Sequence, residues 1–196
     1  MDIVRSARLG AEIADQLSDA LFSAAALVDA VPQRSLMLAT PCRGWSVLDV
    51  VNHLAAVTEK FGRFAAVTPG PVRQLRGDLV GTPPAKKFRE LTGAAARSWH
   101  EHPGALTAVC ALPFGSFDGA TAAGINLFDA VIHQWDIAVG AGIDHEMSEE
   151  LAAVALRVAG LLLTDEARLS GHYAAPFLPP AGAPPSVRLL AATGRQ

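Results

Sequence analysis

Apolar residues recur at three- and four-residue steps along most of the chain and predict a run of amphipathic helices. The first spans about residues 7–30, with Leu9, Ile13, Leu17, Leu21, Ala24 and Val28 on one side. Arg8, Glu12, Asp15, Gln16 and Asp19 lie on the other, and Pro32 marks the end. A second helix is predicted over about 47–66. Val47, Val51, Leu54, Thr58, Phe61 and Ala65 form its apolar face, and Asp49, Asn52, Glu59, Lys60 and Arg63 lie opposite. His53 sits on the border, beside Val50, Val57 and Phe64. Ser46-Val47-Leu48-Asp49 supplies an N-cap with an acid three residues on. A third helix starts near Pro84 or Ala85 and runs to about 101 through Phe88, Leu91, Ala95 and Trp99. Lys86, Lys87, Arg89 and Glu90 form its solvated face.

Between the second and third helices lie Pro69, Gly70, Pro71, Gly77, Gly81, Pro83 and Pro84. This connection, 68–84, is longer than a turn needs and is read as a crossover from one end of the domain to the other. Leu106 to Leu112 alternates weakly as a short strand, with Pro113-Phe114-Gly115 as a turn and Ser116-Phe117 returning as a hairpin. A long helix follows over about 119–139, closed by Gly140-Ala141-Gly142. Ser148-Glu149-Glu150 caps another, expected to run to about 168 through Leu151, Val154, Leu156, Val158, Leu161 and Leu162. Prolines 176, 179, 180, 184 and 185 predict a tail lying across the surface, ending in a short helix from Val187 to Ala192. The expected fold is all-α: an up-down-down-up four-helix bundle with an additional C-terminal helix and a small hairpin. Residues 1–170 form the bundle, and 171–196 form a Pro-rich tail packed on the same domain.

The 119–139 helix departs from ordinary patterning. Leu127, Phe128, Val131, Ile132, Trp135, Ile137 and Val139 make it apolar around most of its girth, as a core helix is. Yet Asn126, Asp129, His133 and Asp136 fall in one arc roughly 80° wide. Either this line faces water, or it is buried and must be paired or bound to a metal. A solvated stripe usually carries Lys, Glu, Arg or Gln, which are better helix formers. Asp129 and His133, four residues apart, can reach one point.

Composition narrows the classes. Half of the 196 residues are apolar (51%) and 18% are charged, so one sizeable core is available. The net charge is −3, without a basic stripe, which argues against nucleic acid. No apolar run is long enough to span a membrane, and no apolar leader follows Asp2 and Arg5. Two distant cysteines form no disulfide framework and fit a reducing cytoplasm. Cys110 reads as core, whereas Cys42, in a loop before a helix, is the more reachable. His100 and His102 point in different directions on a fraying helix end and read as surface.

In a bundle, metal sites arise from facing helices. His53 with Asp129 and His133 is the candidate ligand set, suited to zinc or nickel, and three protein ligands leave positions open as in catalytic sites. Asn126 and Asp136 are candidates for orienting a ligand or bound water, and Asp136 also for a base.

Thr40-Pro-Cys-Arg-Gly-Trp-Ser-Val-Leu-Asp-Val-Val-Asn-His53-Leu54 resembles the second-helix signature of DinB/YfiT-like metal-binding bundles. It is most similar to the mycothiol-dependent maleylpyruvate isomerase type and its small actinobacterial relatives. Leu112-Pro-Phe-Gly115 and Asp129-Ala-Val-Ile-His133-Gln-Trp-Asp136 also resemble that branch. The resemblance implies an up-down-down-up bundle whose metal is held by His53, Asp129 and His133. It further implies a small-molecule thiol, mycothiol, bound as thiolate, an electrophilic substrate, and a homodimer. The isomerase carries glutamate where this chain has Asp129. The expected function is a metal-dependent thiol transferase or isomerase-related enzyme acting on a small electrophile. The alternatives are a non-catalytic metal- or small-molecule-binding accessory protein, and a purely structural helical dimer.

Overall fold

The computed structural model describes residues 3–66 and 75–196, with side chains from residue 11 onward. The first part of the expected crossover, and the side chains of Arg8 and Leu9, lie outside these residues. Seven helices are described: α1 (Ile3–Ala30), α2 (Val47–Ala65), α3 (Ala85–Glu101), α4 (Gly119–Ala141), α5 (Glu149–Leu162), α6 (Asp165–Leu169) and α7 (Pro185–Thr193). β1 (Val109–Leu112) and β2 (Gly115–Asp118) pair antiparallel just before α4.

Side-chain contacts fix the direction of each bundle helix. Asp29 meets Arg89 and Ser18 meets His100, so α1 and α3 are antiparallel. Gly62 packs on Ala95 and Phe64 on Trp99, so α2 and α3 run the same way. Ile13 approaches Gly124, and Gln134 donates to the Ala20 carbonyl, so α1 and α4 also run together. The result is the up-down-down-up bundle. Two consecutive parallel helices require a connection that spans the length of a helix, and the stretch of sequence between α2 and α3 is long enough to supply it.

The core is built as the periodicity predicts. Val47, Val51, Leu54, Thr58, Phe61 and Ala65 on α2 are all buried. The Ser46 hydroxyl accepts the Asp49 amide, and the Asp49 carboxylate accepts the Ser46 amide, a reciprocal cap that fixes the start of α2. Lys60 is the exception on that helix: expected in solvent, it is only 9% exposed. α4 is the central element, contacting α1, α2 and α5.

Four features differ from expectation. The first helix starts at Ile3, and α4 runs on to Ala141 before Gly142, in the left-handed region at φ 67, ends it. Residues 103–107 are a short 3-10 turn, so the strand begins only at Val109. The predicted 149–168 helix is two helices. Leu163 leaves helical geometry, and the Thr164 hydroxyl, accepting the Ala167 amide, caps a new start at Asp165 with Asp165 and Glu166 in the first turn. The tail is tied down by Arg168, whose guanidinium donates to the carbonyls of Ala174 and Ala192.

Candidate metal centre

The loop before α2 is a tight turn. Thr40 and Trp45 are bonded through Thr40 N and the Trp45 carbonyl at 3.0 Å, and Trp45 N donates to the Cys42 carbonyl at 3.0 Å. The Thr40 hydroxyl accepts the Cys42 amide at 3.2 Å and donates to the Trp45 carbonyl. Gly44 supplies the positive φ of 80° that the turn requires. This geometry turns Cys42 inward and lays Trp45 over the imidazoles of His53 and His133, with ring centroids 4.9 and 6.3 Å away. Gly140 lets the loop approach α4: a Cβ there would lie 2.8 Å from Thr40 and 3.0 Å from Val47.

His53, Asp129 and His133 come together from α2 and α4. Asp129 Oδ1 lies 3.3 Å from His53 Nε2 and 3.5 Å from His133 Nε2. The two imidazoles meet edge to face, with centroids 4.8 Å apart. The other carboxylate oxygen, Asp129 Oδ2, is buried and has no hydrogen-bond partner among the described residues. Two imidazole nitrogens, a carboxylate and an unsatisfied buried acceptor fit a divalent ion of the borderline class. His100 and His102 join no such cluster among the described residues.

The second nitrogen of His133 is held from behind. Nδ1 lies 2.8 Å from Asp136 Oδ2, and Asp136 is fully buried. Arg195 reaches the same carboxylate with two bonds, Nε to Oδ1 at 2.9 Å and Nη2 to Oδ2 at 2.8 Å. The Cys42 thiol donates to Asp136 Oδ2 at 3.1 Å. Arg195 arrives because Gly194 turns the chain at φ 74 after α7, where a Cβ would lie 2.6 Å from Ala174. Cys42, His133 and Asp136 are also close enough to form a second ligand set, but Asp136 already accepts from the guanidinium and the thiol.

The electrostatics follow from these contacts. Burial opposes the charge on Asp129, but His53 and His133 outweigh it and hold the carboxyl well below the usual range. Burial likewise opposes charging of His133, yet Asp129 and Asp136 prevail and raise it. Asp136, against burial, is kept ionised by His133 and Arg195. Tyr173, packed edge-on against Phe128, is pushed up to about 12 by burial and by the Asp129 charge.

Several of these groups escape a sequence reading. Arg195 and Tyr173 sit in a tail whose composition marks only turns and a short helix, and nothing local ties them to α4. The one usable signal is Asp136 itself, since a buried carboxylate demands a cation. Asn126 is fully buried, with neither amide atom partnered among the described residues.

Residues 17–138 match the mycothiol maleylpyruvate isomerase N-terminal domain family, so most of the chain, including His53, Asp129, His133 and Asp136, falls within the matched region. The chain belongs to this family, whose helical architecture is DinB-like. It is also 31% identical over 157 residues to two uncharacterized Mycobacterium tuberculosis proteins, Rv0738 of strain H37Rv and MT0763 of strain CDC 1551, covering 80% of this chain and 82% of theirs. No solved structure matches significantly. No helix among the described residues is long and apolar enough to cross a membrane.

Proposed function

We propose that the protein is a metal-dependent, thiol-using enzyme of the transferase or isomerase class, with mycothiol as thiol and a small electrophile as substrate. His53, Asp129 and His133 are the residues that hold the metal, zinc or nickel. When bound, such an ion lets a thiol exist as thiolate at neutral pH. The observation that carries the reading is the way His133 is used: Nε2 faces Asp129 and His53, while Nδ1 is engaged by Asp136. A hydrogen on Nδ1 leaves the Nε2 lone pair directed at the ligand set, an orientation typical of metal-bound histidine.

Asp136 acts in this reading as a positioning group, not as a base. Both of its oxygens already accept hydrogen bonds, from Arg195, His133 and Cys42, so it has little capacity left for a substrate proton. Trp45 forms a wall over both imidazoles that limits water on that side. The family relation supports a thiol cosubstrate, and the two free cysteines fit a cytoplasmic protein.

The test has two stages. Elemental analysis of the purified protein is expected to give one divalent ion per chain, and calorimetry of the loaded protein is expected to show mycothiol binding. Metal without thiol binding would favour a non-catalytic metal-binding accessory protein. No metal at all would sink the reading.

A further inference from the structure

About two turns of α4 separate Phe128 from Asp136, and Asp129 and His133 lie between them. The tail grips both ends of this stretch. Arg195 bonds Asp136, and the Tyr173 ring packs edge-on against Phe128, with centroids 6.2 Å apart. The two tail segments that carry these residues also touch. A Cβ on Gly194 would lie 2.6 Å from Ala174 Cβ and 2.8 Å from the Ala175 carbonyl. Tyr173 and Arg195 each adjoin this contact, so they reach α4 side by side. The backbone around Tyr173 is braced as well. Arg168 bonds the Ala174 carbonyl, the His172 amide donates to the Ala167 carbonyl at 3.0 Å, and the Phe177 amide donates to the Ala191 carbonyl at 3.2 Å.

The Tyr173 hydroxyl is what this packing leaves unexplained. Tyr173 is half-buried, and its oxygen is near enough to Asp129, Arg195 and Cys42 to feel their charges. It makes no hydrogen bond among the described residues. The acceptors around it are in use: Asp136 takes bonds from Arg195, His133 and Cys42, and Asp129 Oδ1 faces both imidazoles. A tyrosine with its ring seated and its polar tip unmatched is suited to a ligand surface. Burial and the Asp129 charge keep the proton on the phenol at neutral pH, so the group there is a donor. An O–H donates most strongly to an anion. The anion that the proposed function brings to this centre is a thiolate.

We propose that the Tyr173 hydroxyl donates a hydrogen bond to the sulfur of the thiolate held at the candidate centre, which makes the tail one wall of the thiol site. The inference rests on the thiol-using reading for the acceptor, and on the tail geometry alone for the donor. Tyr173 is the one tyrosine in the chain, so tyrosine labelled with carbon-13 at Cζ gives a single NMR signal. Zinc-loaded protein is titrated with mycothiol, followed by calorimetry and by this signal. In the wild type the signal is expected to move downfield as mycothiol saturates, as a phenol does when it shares its proton. Tyr173→Phe keeps the ring on Phe128 and removes only the hydroxyl. It is expected to bind mycothiol about tenfold to a hundredfold more weakly, the loss of one hydrogen bond to a charged acceptor. Its zinc content and Tm are expected to match the wild type. Equal mycothiol affinity in Tyr173→Phe and wild type, or a Cζ signal that stays in place at saturation, overturns the donor and leaves the thiol reading standing. A wild type that takes up zinc but binds no mycothiol overturns the thiol reading, and the donor with it. Loss of zinc from Tyr173→Phe would assign the hydroxyl to the metal ligands and overturn the proposal.

Discussion

Arg195 and Asp136, 59 residues apart in sequence, form a two-pronged ion pair at 2.9 and 2.8 Å directly behind His133. Asp136 is fully buried and Arg195 is 10% exposed, so neither charge has water to fall back on. Through this pair the end of the chain reaches the imidazole at the candidate centre.

Removing one partner strands the other. Arg195→Met is expected to destabilise the fold by about 3 kcal/mol, because a buried carboxylate is left uncompensated. Arg195→Met combined with Asp136→Leu should recover much of that loss. Denaturant melts of the two single variants and the double variant form the cycle. Additive losses would show that the pair is not coupled.

Asp136→Asn keeps the shape but removes the charge behind His133. Metal affinity is expected to fall about 10- to 100-fold, as for other groups that orient a metal-bound histidine. Competition with a chelating dye measures it. Unchanged affinity would mean that Asp136 does not orient the ligand.

Protons and metal compete for His133. In the metal-free protein, its pairing with Asp129 and Asp136 raises its pKa in the folded state. The stability this supplies is full below the unfolded imidazole value of about 6.5 and is lost as pH rises through the raised folded pKa. A metal needs the neutral imidazole, so its stabilisation grows as pH rises. Thermal melts with and without zinc should show a larger zinc-induced increase in Tm near pH 8 than near pH 6. A pH-independent increase would contradict this.

Trp45 reports on the site because its ring lies 4.9 Å from that of His53, whereas Trp99 is buried between α2 and α3 against Phe64. Metal binding is expected to change the tryptophan fluorescence, and Trp45→Phe to abolish most of the change while leaving the stoichiometry intact. A full response in Trp45→Phe would place the metal elsewhere.

Gly140→Ala probes the packing that sets the loop. A Cβ there would lie 2.8 Å from Thr40 and 3.0 Å from the Ala39 carbonyl, so the loop carrying Cys42 and Trp45 must shift. A loss of about 1–3 kcal/mol is expected, as for other overpacked sites, and calorimetric melting measures it. No loss would show that the loop yields freely.

The bundle was legible because burial imposes a period. The apolar positions of α2 and α3 recur as packing requires, and the long connection between them is what two parallel helices need. The line Asn126, Asp129, His133 and Asp136 was visible because polar side chains rarely interrupt an apolar helix without a partner. The partners themselves were only partly visible. His53 stands on a face border and gains meaning only when α2 is set against α4. Arg195 is brought in by a left-handed turn at Gly194 and by tail contacts through Arg168, which no local pattern encodes. Lys60 lies opposite the apolar stripe of α2 and so reads as solvent-facing, but tertiary packing buries that side as well.

The proposed chemistry requires His53, Asp129 and His133 to hold one ion. The direct measurement is zinc titration by calorimetry, with elemental analysis, on the wild type and on His53→Ala and His133→Ala. One ion per wild-type chain, with uptake lost in both variants and their helical signal retained, is the expected result. A metal-free wild type, or variants that still take up one ion per chain with unchanged affinity, would contradict it.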